Sequence, residues 1–178
     1  MPTCLLKSAT AFIALGSNLQ DPAAQVRAGF AALATLASTR LTAQSSLYCS
    51  TPVGYANQPD FINAVAAVET ALAPQALLDA LLAIERRHGR VREFANSPRT
   101  LDLDVLLYDD LQLNEQGLTI PHPRMHERAF VLAPLAEIAA RCVIPGRGKV
   151  IELLRTLATG GIKQLDAPDR GDRAEAEP

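Results

Sequence analysis

The sequence predicts an α+β fold, a ferredoxin-like βαββαβ sandwich in which helices pack on an antiparallel sheet. Three observations predict it. Short apolar runs that end in turn residues alternate with stretches of helical periodicity. The order of these segments is strand, helix, strand, strand, helix, strand, with a further helix behind. The chain of 178 residues, 48% hydrophobic and 20% charged, is long and apolar enough for one ordinary core.

Each element has a local reason. TAFIALG at 10–16 is an apolar run closed by Gly-Ser-Asn, a strand that finishes in a turn. Asp21, with Pro22 where a helix tolerates proline, opens a helix that carries Val26, Phe30, Leu33 and Leu36 or Ala37 at helical spacing. LTAQSSLYCS (41–50) and FINAVAAVET (61–70) read as a strand pair joined by the turn-rich, exposed TPVGYANQPD. Pro74 opens a second helix, whose stripe Leu77, Leu81 and Ile84 runs to Gly89, a good C-cap. RVREFANSPR is an unpatterned loop, and TLDLDVLLYDD alternates as a strand. LTIPHPRMHERAFVLAPLAEIAAR gives a short strand, a loop and a third helix. The helices are expected on one face of the sheet. Residues 1–165 are expected to form one domain, and the small, charged segment 166–178 a disordered tail.

Composition narrows the function. With 17 basic against 19 acidic residues the formal net charge is −2, so bulk electrostatics recommends neither nucleic acid nor a membrane as partner. The three cysteines are widely separated and contain no C-x-x-C pair, which argues against a disulfide framework and a zinc knuckle. No apolar run reaches transmembrane length, and MPTCLLKSATAF lacks the long apolar region of a secretory signal. The expectation is a cytoplasmic, monomeric enzyme or binding domain.

The chemistry concentrates in PRTLDLD at 98–104. Strand alternation sends Leu101, Leu103, Val105 and Leu107 to one face and Asp102 and Asp104 to the other. The two carboxylates are then roughly 7 Å apart along the strand and can converge on one centre. Such hard oxygen donors suit Mg²⁺, which completes its shell with water and substrate phosphates. An isolated D-x-D is more often a solvated pair on a sheet face, and here the neighbourhood weighs against that. Between Glu85 and Arg99 lie five arginines, at 86, 87, 90, 92 and 99. Arg86 and Arg87 fit a solvated helix end, where they complement the dipole. Arg90, Arg92 and Arg99 stand within a few residues of the carboxylates, and their planar forks match phosphate oxygens. Metal-holding acids beside phosphate-holding arginines describe a phosphoryl-transfer site. No P-loop and no G-x-G-x-x-G is present, and GRGK at 146–149 reads as a turn.

These residues carry a family resemblance. The blocks AFIALGSNL, SSLYCSTPVG, QPDFINAVAAVET, AIERRHGRVR, PRTLDLDVLLY and IPHPRMHERAFVLAPLAEIA follow one another over about residues 10 to 160. In that order they resemble the 6-hydroxymethyl-7,8-dihydropterin pyrophosphokinases of folate biosynthesis. The resemblance implies a ferredoxin-like fold, ATP with two Mg²⁺ ions, and transfer of the β,γ-diphosphate to the pterin hydroxymethyl group with AMP as the other product. It implies that Asp102 and Asp104 hold the metals and that Arg90 and Arg92 belong to a catalytic, phosphate-gripping loop. Arg92, Arg99, Thr119, His122 and Arg128 would bind ATP.

Residue chemistry adds to the pterin half. Phe61 and Asn63 are two apart on a strand and share a face, an aromatic platform beside an amide. A flat pterin with an alternating donor and acceptor edge suits both. Both Phe61 and Phe130 would equally serve as ordinary core residues. The resemblance gives Phe130 the other side of a ring sandwich and gives Thr51, Pro52 and Val53 the loop that completes the pterin edge. A buried Asn63 needs partners, because an unpaired amide is costly. Glu85 continues an apolar helical stripe and is expected to support the site from behind. The chain departs from the family pattern at Phe94, Asn96 and Ser97, where many members carry a tryptophan, and at Gly117 and Pro123, where basic and aromatic residues are common. His122 and His126 are four apart, but Pro123 between them breaks the helix that a zinc pair would need. No side chain stands out as a general base. Two other functions fit less well: a non-catalytic binding module on the same fold, and nucleic-acid binding, which the 4% aromatic content and acidic total oppose.

Overall fold

A computed structural model of the chain describes residues 8–52, 57–89 and 98–165. The elements run β1 (Ala9–Ser17), α1 (Pro22–Ala34), β2 (Thr39–Gln44), β3 (Tyr48–Ser50), β4 (Phe61–Thr70), α2 (Pro74–Arg87) and β5 (Asp102–Tyr108). Beyond them come β6 (Leu113–Glu115), β7 (Leu118–Ile120), a 3-10 turn (Met125–Glu127), α3 (Ala129–Ala139), β8 (Val143–Ile144), β9 (Gly148–Lys149), α4 (Val150–Thr156) and β10 (Ile162–Gln164). The main sheet has the order β10-β3-β4-β1-β5, with β2 also paired to β4, and its pairings are antiparallel. This is the ferredoxin-like arrangement expected from the sequence.

The local reasons hold in the helices. Asp21 Oδ1 accepts from the Ala24 amide at 3.2 Å and caps α1, with Pro22 in the first turn and Val26, Phe30 and Leu33 buried. Helix α1 sits close to the sheet at Gly29, where a Cβ would come within 2.8 Å of Leu15 Cδ2. In α2 the buried residues are Leu77, Leu81, Ile84 and Glu85, and Gly89 follows with φ of 70°. In the GRGK segment Gly146 and Arg147 lie in the turn between β8 and β9 while Gly148 and Lys149 form β9 itself, with Gly146 and Gly148 at positive φ.

Three sequence expectations are corrected. The single strand over 41–50 is two, because Ser45 replaces a rung of the ladder: its amide donates to the Val65 carbonyl and its Oγ accepts from the Val65 amide, both at 2.9 Å. The leucine face of β5 breaks at a bulge. Phe12 pairs with Leu107 and Ile13 with Val105, so Leu106 is the extra residue and Leu107 turns to the face opposite Leu103 and Val105. Helices also cover both faces of the sheet. Helices α1 and α2 bury Ile13, Leu15, Leu77, Leu81 and Leu103 on one side, while α3 and α4 bury Val65, Leu106, Leu132, Leu135 and Val150 on the other.

That second layer places the site. Register puts Asp104 opposite Ala14 and Ala14 opposite Val65, and likewise Asp102 opposite Gly16 and Gly16 opposite Asn63. Directly paired residues share a face, so the carboxylates and Asn63 lie on the side that α3 covers. The tail 166–178, and with it the expectation of disorder there, lies outside the described residues.

Candidate active site

A cavity of about 230 Å³ opens on this second face beside the start of α3. Its floor is the strand row Asp102, Gly16 and Asn63, with Asp104 and Ala14 one step further in. Strands lie about 4.7–4.9 Å apart, so Asp102 and Asn63 stand about 10 Å from each other across the row. Gly16 leaves the middle of that floor bare.

On the β5 side, Asp102 and Asp104 are both half-buried and face the cavity. Arg99 pairs with Asp102, the two side chains being 21% and 14% exposed, so the guanidinium already neutralises one carboxylate of the pair. The backbone between the acids is anchored from behind, where the Leu103 amide donates to Glu85 Oε1 at 2.8 Å. Glu85 is 3% exposed and stands on the other side of the strand from the cavity.

Opposite the carboxylates stand His122 and Arg128, both lining the cavity. The His122 amide donates to the Leu106 carbonyl at 2.9 Å, and His122 Nδ1 accepts from the Arg124 amide at 3.2 Å. Burial first, and then the Arg128 charge, hold the His122 imidazole below its ordinary pKa, against a smaller pull from Asp102. A neutral ring whose Nδ1 accepts carries its proton on Nε2, so His122 can donate one hydrogen bond. Burial also holds the Arg128 guanidinium below its ordinary value, helped by Arg124 and Arg99 and opposed by Asp104 and Asp102. Arg128 additionally lies over the Phe130 ring, 5.8 Å from its centre.

On the β4 side, Asn63 is 7% exposed and its Nδ2 donates to Ser50 Oγ at 2.7 Å, which leaves the amide oxygen beside Gly16. Phe61 and Phe130 are both half-buried and both line the cavity, with Arg99 5.7 Å above the Phe61 ring. Thr51 lines it too, held by its amide to the Gly161 carbonyl at 3.4 Å. Pro52 is half-buried outside the lining, and Thr119 belongs to an adjoining groove of about 740 Å³ that shares His122 with the cavity. The Thr119 hydroxyl donates to Asn114 Oδ1 at 3.2 Å. Val53, Arg90, Arg92, Phe94, Asn96 and Ser97 lie outside the described residues.

Sequence reasoning missed Asn18, Gln58, Ser50, Gly16 and Arg124. Asn18 is 1% exposed and stitches three segments together. Its amide donates to the Arg99 carbonyl at 3.1 Å and its Oδ1 accepts from the Arg99 amide at 2.9 Å. Its Nδ2 donates to Gln58 Oε1 at 2.9 Å and to the Pro59 carbonyl at 3.2 Å. The signal was present as Gly-Ser-Asn behind the first strand, read only as a turn. Gln58 lines the cavity from the stretch before Phe61.

Comparisons with known proteins place the chain in a family and a fold. A family model described as 7,8-dihydro-6-hydroxymethylpterin-pyrophosphokinase (HPPK) matches residues 12–140. The 2-amino-4-hydroxy-6-hydroxymethyldihydropteridine pyrophosphokinase of Haemophilus influenzae is 48% identical over 149 residues, covering 84% of this chain and 93% of that protein. The protein of the same name in Pseudomonas aeruginosa is 49% identical over 154 residues, covering 86% and 95%. Among solved structures, wild-type Plasmodium falciparum HPPK-DHPS with pterin and p-hydroxybenzoate aligns with a TM-score of 0.66 at 16% identity. That alignment covers 84% of this chain and 43% of the other, and it speaks for the fold. By sequence over most of its length, and by fold, the chain belongs to the 7,8-dihydro-6-hydroxymethylpterin-pyrophosphokinase family.

Proposed function

We propose that the cavity binds the pterin on its β4 side and the ATP triphosphate on its β5 side, with the hydroxymethyl group and the β-phosphorus meeting above Gly16. The chain is an ATP-dependent pyrophosphokinase that transfers diphosphate from ATP to 6-hydroxymethyl-7,8-dihydropterin in folate biosynthesis. The observation that carries the residue assignment is the cross-strand row Asp102, Gly16 and Asn63, which puts an anionic wall and an amide wall on one floor.

On the pterin side, Asn63 presents its amide oxygen to the donor edge of the ring system, while Phe61 and Phe130 hold the two faces. Thr51, Pro52 and Val53 complete that edge. On the nucleotide side, Arg99 and Arg128 bind phosphate oxygens, and His122 donates from Nε2. The groove that Thr119 and His122 share supports a place there for the rest of the nucleotide. Arg90 and Arg92, between α2 and β5 in sequence, bind the phosphates as well. The pterin hydroxymethyl oxygen attacks the β-phosphorus in line and forms the new O–P bond. The bond from that phosphorus to the bridging oxygen of AMP breaks, and the hydroxyl proton passes to solvent. Positioning and charge do most of the catalysis.

Phosphoryl transfer from ATP uses a divalent metal, and the donor set fits one. Asp102 and Asp104 are hard oxygen donors on one strand face, half-buried, and open to the cavity. They would hold two Mg²⁺ ions with ATP, which supply positive charge to the phosphate oxygens. The residues assigned to the site all belong to this one chain, which supports a monomer. ATP as donor supports a cytoplasmic location. Incubation with ATP, Mg²⁺ and the reduced hydroxymethylpterin is expected to release AMP and the pterin diphosphate in equal amounts. ADP as the nucleotide product, or AMP release that ignores the pterin, would refute the reading.

A further inference from the structure

We propose that Arg124 is a further specificity-determining residue, a guanidinium at the cavity rim that holds the ATP polyphosphate and sets the affinity for it. The inference rests on the assignment of the β5 side of the cavity to the triphosphate.

Arg124 lines the same cavity as Asp102, Asp104, Arg99 and Arg128. Its backbone is fixed in the wall, because its amide donates to His122 Nδ1 at 3.2 Å. Its side chain is 61% exposed, and its Nε forms a 3.8 Å ion pair with Glu127 Oε2, on a side chain 58% exposed. A pair that long, three residues apart and in water, holds little. Packing or a strong salt bridge therefore does not explain why a guanidinium stands at this mouth.

Charge supplies the reason. The Arg124 field depresses the basicity of both Arg128 and His122, so the three groups stand close enough for their charges to matter to one another. Arg99 acts on Arg128 in the same sense. The guanidinium groups of Arg124 and Arg128 repel one another, an effect that Asp104 and Asp102 oppose at Arg128, and an entering anion relieves that repulsion. An anion with several oxygens along its length answers more than one of them at once. The exposed position suits capture from water, where attraction reaches outward and weakens with salt.

The test is equilibrium binding of ATP with Mg²⁺, at low and high ionic strength, to wild type, Arg124→Ala, Arg124→Lys and Glu127→Gln, with pterin binding measured alongside. Arg124→Ala is expected to weaken ATP binding about tenfold and to flatten its salt dependence, with pterin affinity held. Arg124→Lys recovers part of the loss. Glu127→Gln removes the competing carboxylate and tightens ATP binding about twofold, which a purely structural ion pair would not do. Wild-type ATP affinity in Arg124→Ala would overturn the proposal. So would an equal weakening by Glu127→Gln, or a joint loss of ATP and pterin binding with a lowered melting temperature. Failure of the underlying reading looks different: the wild type itself would bind no ATP, or would release no pterin-dependent AMP.

Discussion

Asp102 and Asp104 share a face and a cavity, yet Asp102 is paired with Arg99 and sits at the rim end of the row, while Asp104 is opposite Ala14, deeper under α3. Removing Asp104 takes away one of the two carboxylates proposed to hold metal without opening the core, since its own side chain is half-buried and its backbone stays in the ladder. Asp104→Ala is therefore expected to lower turnover by at least about a hundredfold to a thousandfold while circular dichroism and the melting temperature stay close to wild type. A near-normal rate would remove the metal role. His122 gives a second residue-scale prediction. Its imidazole is held below the ordinary value near 6.5, so the folded state resists the proton that the unfolded chain accepts. The neutral ring's contribution to stability is complete above pH 6.5 and is lost as pH falls below it. The proton resonances of His122 should titrate with a midpoint under 6.5, and His122→Gln should flatten the fall of the urea midpoint between pH 7 and pH 5.5. A midpoint at or above 6.5 contradicts the burial argument. Much of this residue detail was legible beforehand. A D-x-D in an apolar strand, an amide between apolar neighbours and an acid on an apolar helix stripe each break a local pattern, and Asp102, Asp104, Asn63 and Glu85 were readable for that reason. Asn18 was not, because an asparagine behind a strand satisfies a turn equally well, and its four hydrogen bonds go to residues about forty to eighty positions away in sequence.

At the scale of elements, the floor of the site is made by three strands meeting in register at Gly16. A Cβ placed there would meet Asn63 Oδ1 at 3.5 Å, an ordinary contact, so the strand tolerates a side chain. A large one would stand up into the cavity between Asn63 and the carboxylates. Gly16→Leu is expected to fold, to weaken pterin binding about tenfold or more and to lose most turnover, and Gly16→Ala to fall between it and wild type. If calorimetry finds wild-type pterin affinity in Gly16→Leu, the row is not the floor of the pterin site. Elements that repeat a period were readable from the sequence: β1, β4 and α2 lie within a residue or two of expectation, while α1 ends at Ala34, before the Leu36 or Ala37 that the spacing had carried it to. Those decided by a partner strand were not. The Ser45 break between β2 and β3, and the bulge that turns Leu107 over, depend on Val65 and Phe12, which no local pattern in 41–50 or 101–108 reveals. Helix α4 and the edge strand β10 are only seven and three residues long, too short to declare a period.

At the scale of the whole molecule, the second helical layer both closes the sheet and builds one wall of the site. Helix α3 covers Val65, Leu106 and Leu107, and its first residues carry Phe130 directly behind Arg128. Glu137, two turns further along, ties the same helix to β3 and its approach, beside the proposed pterin pocket. Its carboxylate accepts from the Ser46 amide at 3.0 Å, from Ser46 Oγ at 2.8 Å and from the Tyr48 hydroxyl at 2.9 Å. Apolar contact supplies the layer's stability and Glu137 sets its position, so the two are separable. Leu132→Ala deletes a side chain with no exposure and is expected to cost about 2–5 kcal/mol, read as a lowered urea midpoint. Glu137→Ala leaves the core intact but frees the three donors of β3 and its approach. Its cost in stability is expected to be smaller, about 1–3 kcal/mol. Its mark should appear instead in the Michaelis constant for the pterin, which rises as Phe130 and the Ser50–Thr51 edge lose their common reference. If Glu137→Ala lowered the urea midpoint as far as Leu132→Ala and left the pterin constant unchanged, Glu137 would be a stabilising contact and nothing more, and Phe130 would be held by its own helix alone.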